Sequence, residues 1–122
     1  MERSQRRALV VDDNEATRLM VQDLLTREGF LTETARNGAE AIELLDADDR
    51  YELIVLDLMM PLVDGYGVLD FLREAGSYPQ ALRKILIVTA SPSLIEEERL
   101  LDGLCEVLPK PFTGDHFLAC AL

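Results

Sequence analysis

Five residues of this chain could do chemistry together. Asp12 and Asp13 close the apolar run Ala8-Leu-Val-Val11. Asp57 closes Tyr51-Glu-Leu-Ile-Val-Leu56, and Thr89 closes Ile85-Leu-Ile-Val88. Lys110 follows the short run Cys105 to Leu108. Each run reads as a buried strand. In open α/β sheets, ligands bind beyond the C-terminal ends of the strands. Three carboxylates, one hydroxyl and one ammonium therefore converge on a single rim.

Carboxylates at ~5 Å repel by roughly 3 kcal/mol per pair at an effective dielectric of ~20. Such a cluster needs compensation. A hard divalent cation supplies it, and oxygen ligands favour Mg²⁺ or a similar ion over zinc. Beside such an ion one carboxylate can act as a nucleophile toward a phosphoryl group. The ion and Lys110 would neutralise charge on the transferring oxygens. Thr89 can donate a hydrogen bond to one of them.

These residues have to be positioned by an alternation of strands and helices. After the first run the pattern changes to a helical period, with Ala16, Met20, Val21, Leu24 and Leu25 on one face and Gly29 as the stop. Phe30 to Thr34 reads as an edge-like strand. Asn37 caps a second helix, with Glu40 as its capping-box partner and Ala41, Ile42 and Leu45 facing inward. Leu58-Met-Met-Pro61 is a loop. Asp64-Gly65 opens a helix carrying Val68, Leu69 and Leu72, with Asp64 as its N-cap. Gly76 to Gln80 is a turn-rich linker. Ser91-Pro-Ser93 starts a fourth helix, with Ser91 as its cap, and Gly103 ends it. Thr113 caps the last helix, which runs through Leu122. Strand-helix alternation of this kind implies a parallel sheet with helices on both faces.

Length and composition agree. The chain has 122 residues, with 48% hydrophobic and 29% charged residues, which suits one globular domain. Residues 1–6 are expected to be a frayed N-terminus and residues 7–122 the domain. No apolar run reaches the ~18 residues of a membrane span, and the N-terminus lacks a signal-peptide stretch. The 12 basic and 23 acidic residues give a net charge of −11, which argues against a phosphate backbone as partner. Cys105 and Cys120 form no CxxC, and His116 is the single histidine, so a zinc site is not expected. Two reduced thiols fit a cytoplasmic protein.

With these pieces in place, the sequence resembles the receiver domain of two-component response regulators, the CheY-like superfamily. The resemblance rests on Val10-Val-Asp-Asp-Asn14, Ile54-Val-Leu-Asp-Leu-Met-Met-Pro61, Asp64-Gly65, Val88-Thr-Ala90 and Pro109-Lys-Pro-Phe112. It implies a flavodoxin-like, doubly wound five-stranded parallel sheet in the order 2-1-3-4-5. It implies Asp57 as the phosphoacceptor, taking phosphate from a phosphohistidine. Asp13 would ligate Mg²⁺ directly and Asp12 through water, with Asp57 and the backbone carbonyl of Met59 completing the protein ligands. Lys110 would contact the phosphoryl group and pair with a carboxylate beforehand. Thr89 would be the switch hydroxyl, and the Lys110–Pro111 bond would be cis. The implied partners are a sensor histidine kinase or histidine phosphotransfer domain and a downstream protein, with no nucleic acid or membrane bound by this domain. The implied activity is signalling, with only self-phosphorylation and self-dephosphorylation at Asp57.

Two features depart from that family. It often carries an aromatic residue three positions before the lysine, where this chain has Val107, which has no ring to swing inward. The segment from Thr89 to Gly103 is about one residue shorter than the common pattern and carries Glu96-Glu-Glu98. A phosphorylation-independent scaffold with the same fold is the competing reading. An aspartate-nucleophile phosphatase would require an acid two residues after Asp57, where Met59 stands.

Overall fold

A computed structural model describes residues 6–75, 79–101 and 103–122. The elements run β1 (Arg6–Val11), α1 (Glu15–Arg27), β2 (Phe30–Ala35), α2 (Gly38–Ala47), β3 (Tyr51–Asp57), α3 (Gly65–Ala75) and β4 (Lys84–Thr89). Two 3₁₀ turns follow, Pro92–Leu94 and Glu97–Arg99, and then β5 (Cys105–Pro109) and α4 (Gly114–Ala121). All strand pairs are parallel and the sheet order is β2-β1-β3-β4-β5, as the resemblance implies.

Successive strand residues point to opposite faces, so the sheet serves two cores. Leu9, Val11, Ile54, Leu56, Ile85 and Ile87 pack with Ala41 and Leu45 of α2 and with Val68, Leu69 and Leu72 of α3. Ala8, Val10, Leu53, Val55, Leu86 and Val88 pack with Val21 and Leu25 of α1 and Phe117 and Ala121 of α4. The apolar runs of β1, β3 and β4 are thus continuous because both faces are covered. At the far end of the sheet, Arg83 donates to the Ala121 carbonyl (3.0 Å) and Lys84 to the Cys120 carbonyl, placing two cations on the last turn of α4.

Three expected caps form: Asn37 accepts from Glu40 N, Asp64 from Gly67 N and Thr113 from His116 N; Asn14, which the sequence did not single out as a cap, accepts from Thr17 N and caps α1. Glu40 reaches one residue further back than a capping box requires, to Arg36 N at 2.8 Å and to the Arg36 guanidinium. Gly29 has φ +92°, a left-handed conformation that glycine adopts without a Cβ clash.

Four expectations need correction. Residues 91–103 form no α-helix among the described residues, but an irregular strap with two 3₁₀ turns. Its inward apolar residues, Ile95 and the adjacent pair Leu100 and Leu101 five and six positions on, do not follow the helical period, and three successive glutamates repel one another. Ser91 makes no side-chain capping bond. On α1, Ala16 and Met20 are exposed; the buried stripe is Val21 and Leu25, with Leu24 partly covered. Arg6 is not part of a frayed end but begins β1, while residues 1–5 lie outside the described residues. The linker expected at 76–80 is described only from Pro79 onward.

Candidate functional site

Register brings the polar residues level with one another. Val11 pairs with Leu56, so Asp12 and Asp57 follow at the same height on neighbouring strands. Asp57 pairs with Val88 and Thr89 with Pro109, so Thr89 and Lys110 complete the row. Lys110 N donates to the Thr89 carbonyl at 2.7 Å, fixing the end of β5 to the end of β4. The Lys110–Pro111 bond is cis.

Asp12, Asp57 and Thr89 are the buried polar side chains of the described residues. Asp13 is exposed beside them. Carboxylate oxygens of Asp12, Asp13 and Asp57 all lie within 4.8 Å of one another. Lys110 Nζ stands 2.8 Å from Asp12 Oδ2 and 3.4 Å from Asp57 Oδ2. The other oxygens are held by backbone: Asp12 Oδ1 accepts from Asn14 N at 2.9 Å and Asp57 Oδ1 from Met59 N at 3.1 Å. Asp12 Oδ2 is buried and takes no aligned hydrogen bond, so only the nearby ammonium charge compensates it. Arg18, which the sequence did not single out, donates to the Asp12 carbonyl at 2.8 Å and ties α1 to the rim.

This arrangement controls proton affinity. Burial and the neighbouring Asp12 charge push the Asp57 carboxyl up to about 6, against the opposing pull of Met59 N–H and Lys110. Burial lowers the Lys110 ammonium, but the close carboxylates of Asp12 and Asp57 outweigh it and leave its pKa raised. Lys110 is therefore a permanent cation at neutral pH. Asp57 is a carboxylate poorly compensated where it stands.

The donor set fits a hard divalent ion. It consists of oxygens, gathers three negative charges, and includes a buried oxygen without an aligned donor. The loop after Asp57 is built to stay close. Gly65 N donates to the Leu58 carbonyl at 3.1 Å, and a Cβ at Gly65 would lie 2.5 Å from the Asp57 carbonyl oxygen. Glycine is what allows α3 to start against the end of β3. Met59 is 60% exposed at the mouth of the site.

Tyr66 was missed by the sequence reading. It is buried on α3, and its hydroxyl accepts from Glu96 N at 2.8 Å. Its spacing to Leu69 and to Asp70 and Arg73 on the same helix was the available signal.

Residues 8–121 match the family model of the response regulator receiver domain. The chain belongs to that family and is a signalling receiver domain of the two-component, CheY-like kind. It is 41% identical over 114 residues to the response regulator MprA of Mycobacterium ulcerans, an alignment covering 93% of this chain and 47% of that protein. MprA of Mycobacterium avium is 40% identical over 114 residues, covering 93% and 48%. The chain thus spans about half the length of the curated relatives it matches. Chemotaxis protein CheY4 of Vibrio cholerae superposes with a TM-score of 0.81 at 28% identity, covering 96% of both chains. The response regulator TrrA of Thermotoga maritima, solved in complex with Mg²⁺-BeF, superposes with a TM-score of 0.75 at 30% identity, covering 94% of this chain and 95% of that one. No helix among the described residues is long and apolar enough to cross a membrane.

Proposed function

We propose that the chain is a phosphoaccepting receiver and that Asp57 takes a phosphoryl group from the phosphohistidine of a sensor histidine kinase or histidine phosphotransfer domain. The observation that carries this reading is the burial of Asp57 among Asp12, Asp13 and Lys110 at the end of β3. An Asp57 oxygen attacks phosphorus, a P–O bond forms, and the P–N bond to the donor histidine breaks. Lys110 neutralises charge on the phosphoryl oxygens, and Thr89 donates a hydrogen bond to one of them. Asp12, Asp13, Asp57 and the Met59 carbonyl would hold Mg²⁺. When bound, the ion supplies compensation for the crowded carboxylates and for charge on the transferring group. The TrrA complex with Mg²⁺-BeF supports this assignment by likeness.

The phosphorylated domain, residues 7–122 acting as one unit, would then alter its contact with a downstream protein in the cytoplasm. The net charge of −11 gives no support to nucleic-acid binding by the domain itself. The test is incubation with acetyl phosphate, with and without Mg²⁺, read by intact mass. The expected result is one added phosphoryl group that requires Mg²⁺ and is absent from Asp57→Asn. No addition under either condition would sink the reading and leave the phosphorylation-independent scaffold.

A further inference from the structure

The strap after β4 is held by side chains rather than by a backbone ladder. Tyr66, Asp70 and Arg73 share one face of α3, at spacings of four and three. Tyr66 Oη accepts from Glu96 N at 2.8 Å. The Arg99 guanidinium lies over the Tyr66 ring, 4.3 Å from its centroid, and bonds Asp70 Oδ2 at 3.0 Å. Arg73 donates to the Arg99 carbonyl at 2.9 Å and to Asp70 Oδ1 at 3.1 Å. The strap's middle and far end are thus clasped to α3.

The strap's near end is tied to the site. Ser91 N donates to Thr89 Oγ1 at 3.1 Å. A hydroxyl turned toward a phosphoryl group on Asp57 would take that acceptor from Ser91 and displace the first turn of the strap. There is space for such a movement. A cavity of about 20 Å³ lies between Thr89, Ser91, Tyr66 and Ile95. A groove of about 310 Å³ runs between the strap and β5, lined by Pro92, Ile95, Leu100 and Val107. Val107 on the β5 side offers no ring to fill that groove.

We infer that the Tyr66–Asp70–Arg99 clasp holds the strap in its unphosphorylated position, and that modification of Asp57 acts through Thr89 and Ser91 to open it. Tyr66 of α3 is then the aromatic residue that registers the state of the site. The inference rests on the proposed phosphorylation of Asp57. Because loading of the site opens the clasp, the closed clasp opposes loading, and linkage requires that weakening it favours loading.

The experiment is a beryllofluoride titration in the presence of Mg²⁺ on ¹⁵N-labelled wild type, Tyr66→Phe and Arg99→Gln. Amide shifts of Asp57 to Met59 report adduct formation; the Glu96 amide reports the clasp. In wild type, loading should move the Glu96 amide proton upfield and speed its exchange by about tenfold. In Tyr66→Phe the Glu96 amide should already resemble the loaded state. Both variants should bind beryllofluoride about fivefold more tightly. Arg99→Gln leaves the Tyr66–Glu96 bond partners in place, so the test survives poor folding of the tyrosine variant. An adduct that forms while Glu96 stays unchanged, or variants with wild-type affinity, would overturn the clasp and leave the phosphoacceptor reading intact. Absence of any adduct in wild type would overturn both.

Discussion

The ammonium of Lys110 lies 2.8 Å from a buried carboxylate oxygen of Asp12, closer than it lies to Asp57. The resident cation therefore leans toward the carboxylate at the base of the cluster and only partly compensates Asp57. Lys110→Met removes it and leaves two buried carboxylates facing each other. A loss of about 3–5 kcal/mol is expected for breaking such a buried charge group. Urea unfolding at pH 7 in chelator reads it. Added Mg²⁺ should restore more stability to the variant than to wild type, because the ion then has no ammonium to displace.

The proton affinity of Asp57 gives a signed pH dependence. Its folded pKa of about 6 lies above its ordinary value of 3.8. The group's contribution is therefore fully present below pH 3.8 and is lost as pH rises through about 6. In chelator, Asp57→Asn should gain on wild type by on the order of 2–3 kcal/mol between pH 4 and pH 7. Parallel stability curves for the two proteins across that window would refute the assignment.

The acidic cluster predicts stabilisation by Mg²⁺. An ion that binds the folded chain at a hundredfold excess over its dissociation constant adds about 2.7 kcal/mol. Asp13→Asn removes a charge at the exposed edge of the cluster and should abolish most of that gain, with little effect on the ion-free protein. Thermal unfolding with Mg²⁺ and with chelator separates the two effects.

Gly65 sets the approach of α3 to the site. An added methyl would meet the Asp57 carbonyl at 2.5 Å and Leu58 Cα at 2.7 Å, both backbone atoms that cannot give way cheaply. Gly65→Ala should cost about 1–3 kcal/mol and displace the loop from Asp57 to Met59. Unfolding curves and the Asp57 and Met59 amide shifts check both effects. Gly29→Ala offers a contrast: nothing lies within 4 Å of its Cβ, so its cost comes only from positive φ.

Much of this was legible in the chain. Asp12, Asp57, Thr89 and Lys110 each end an apolar run, and parallel register alone makes such ends neighbours. Asn37, Asp64 and Thr113 were legible because a cap is a local bond between a side chain and a backbone N–H three residues on. The strap was not legible. Ser91-Pro-Ser opens like a helix, but the buried Leu101 and the half-buried Ile95 and Leu100 obey no helical period, and what fixes them is contact with α3. The expected α1 face contained the buried Val21 and Leu25 but was drawn too wide, because Ala16 and Met20 are also apolar and only packing decides which residues are covered. Tyr66 escaped notice because its partner, Glu96 N, is thirty residues away and is a backbone group.

In the proposed reaction the side chain of Asp57 itself accepts the phosphoryl group. An acyl phosphate, unlike a phosphoester or a free carboxylate, is reduced by borohydride to an alcohol. The decisive measurement is borohydride reduction of the protein after phosphorylation with Mg²⁺ present, followed by peptide sequencing across both Ala8 to Asn14 and Tyr51 to Met60 by mass spectrometry. A single reduced residue is expected, at position 57, lost when Mg²⁺ is withheld. Reduction at Asp12 or Asp13 instead, or a phosphoryl group that resists borohydride, would contradict it.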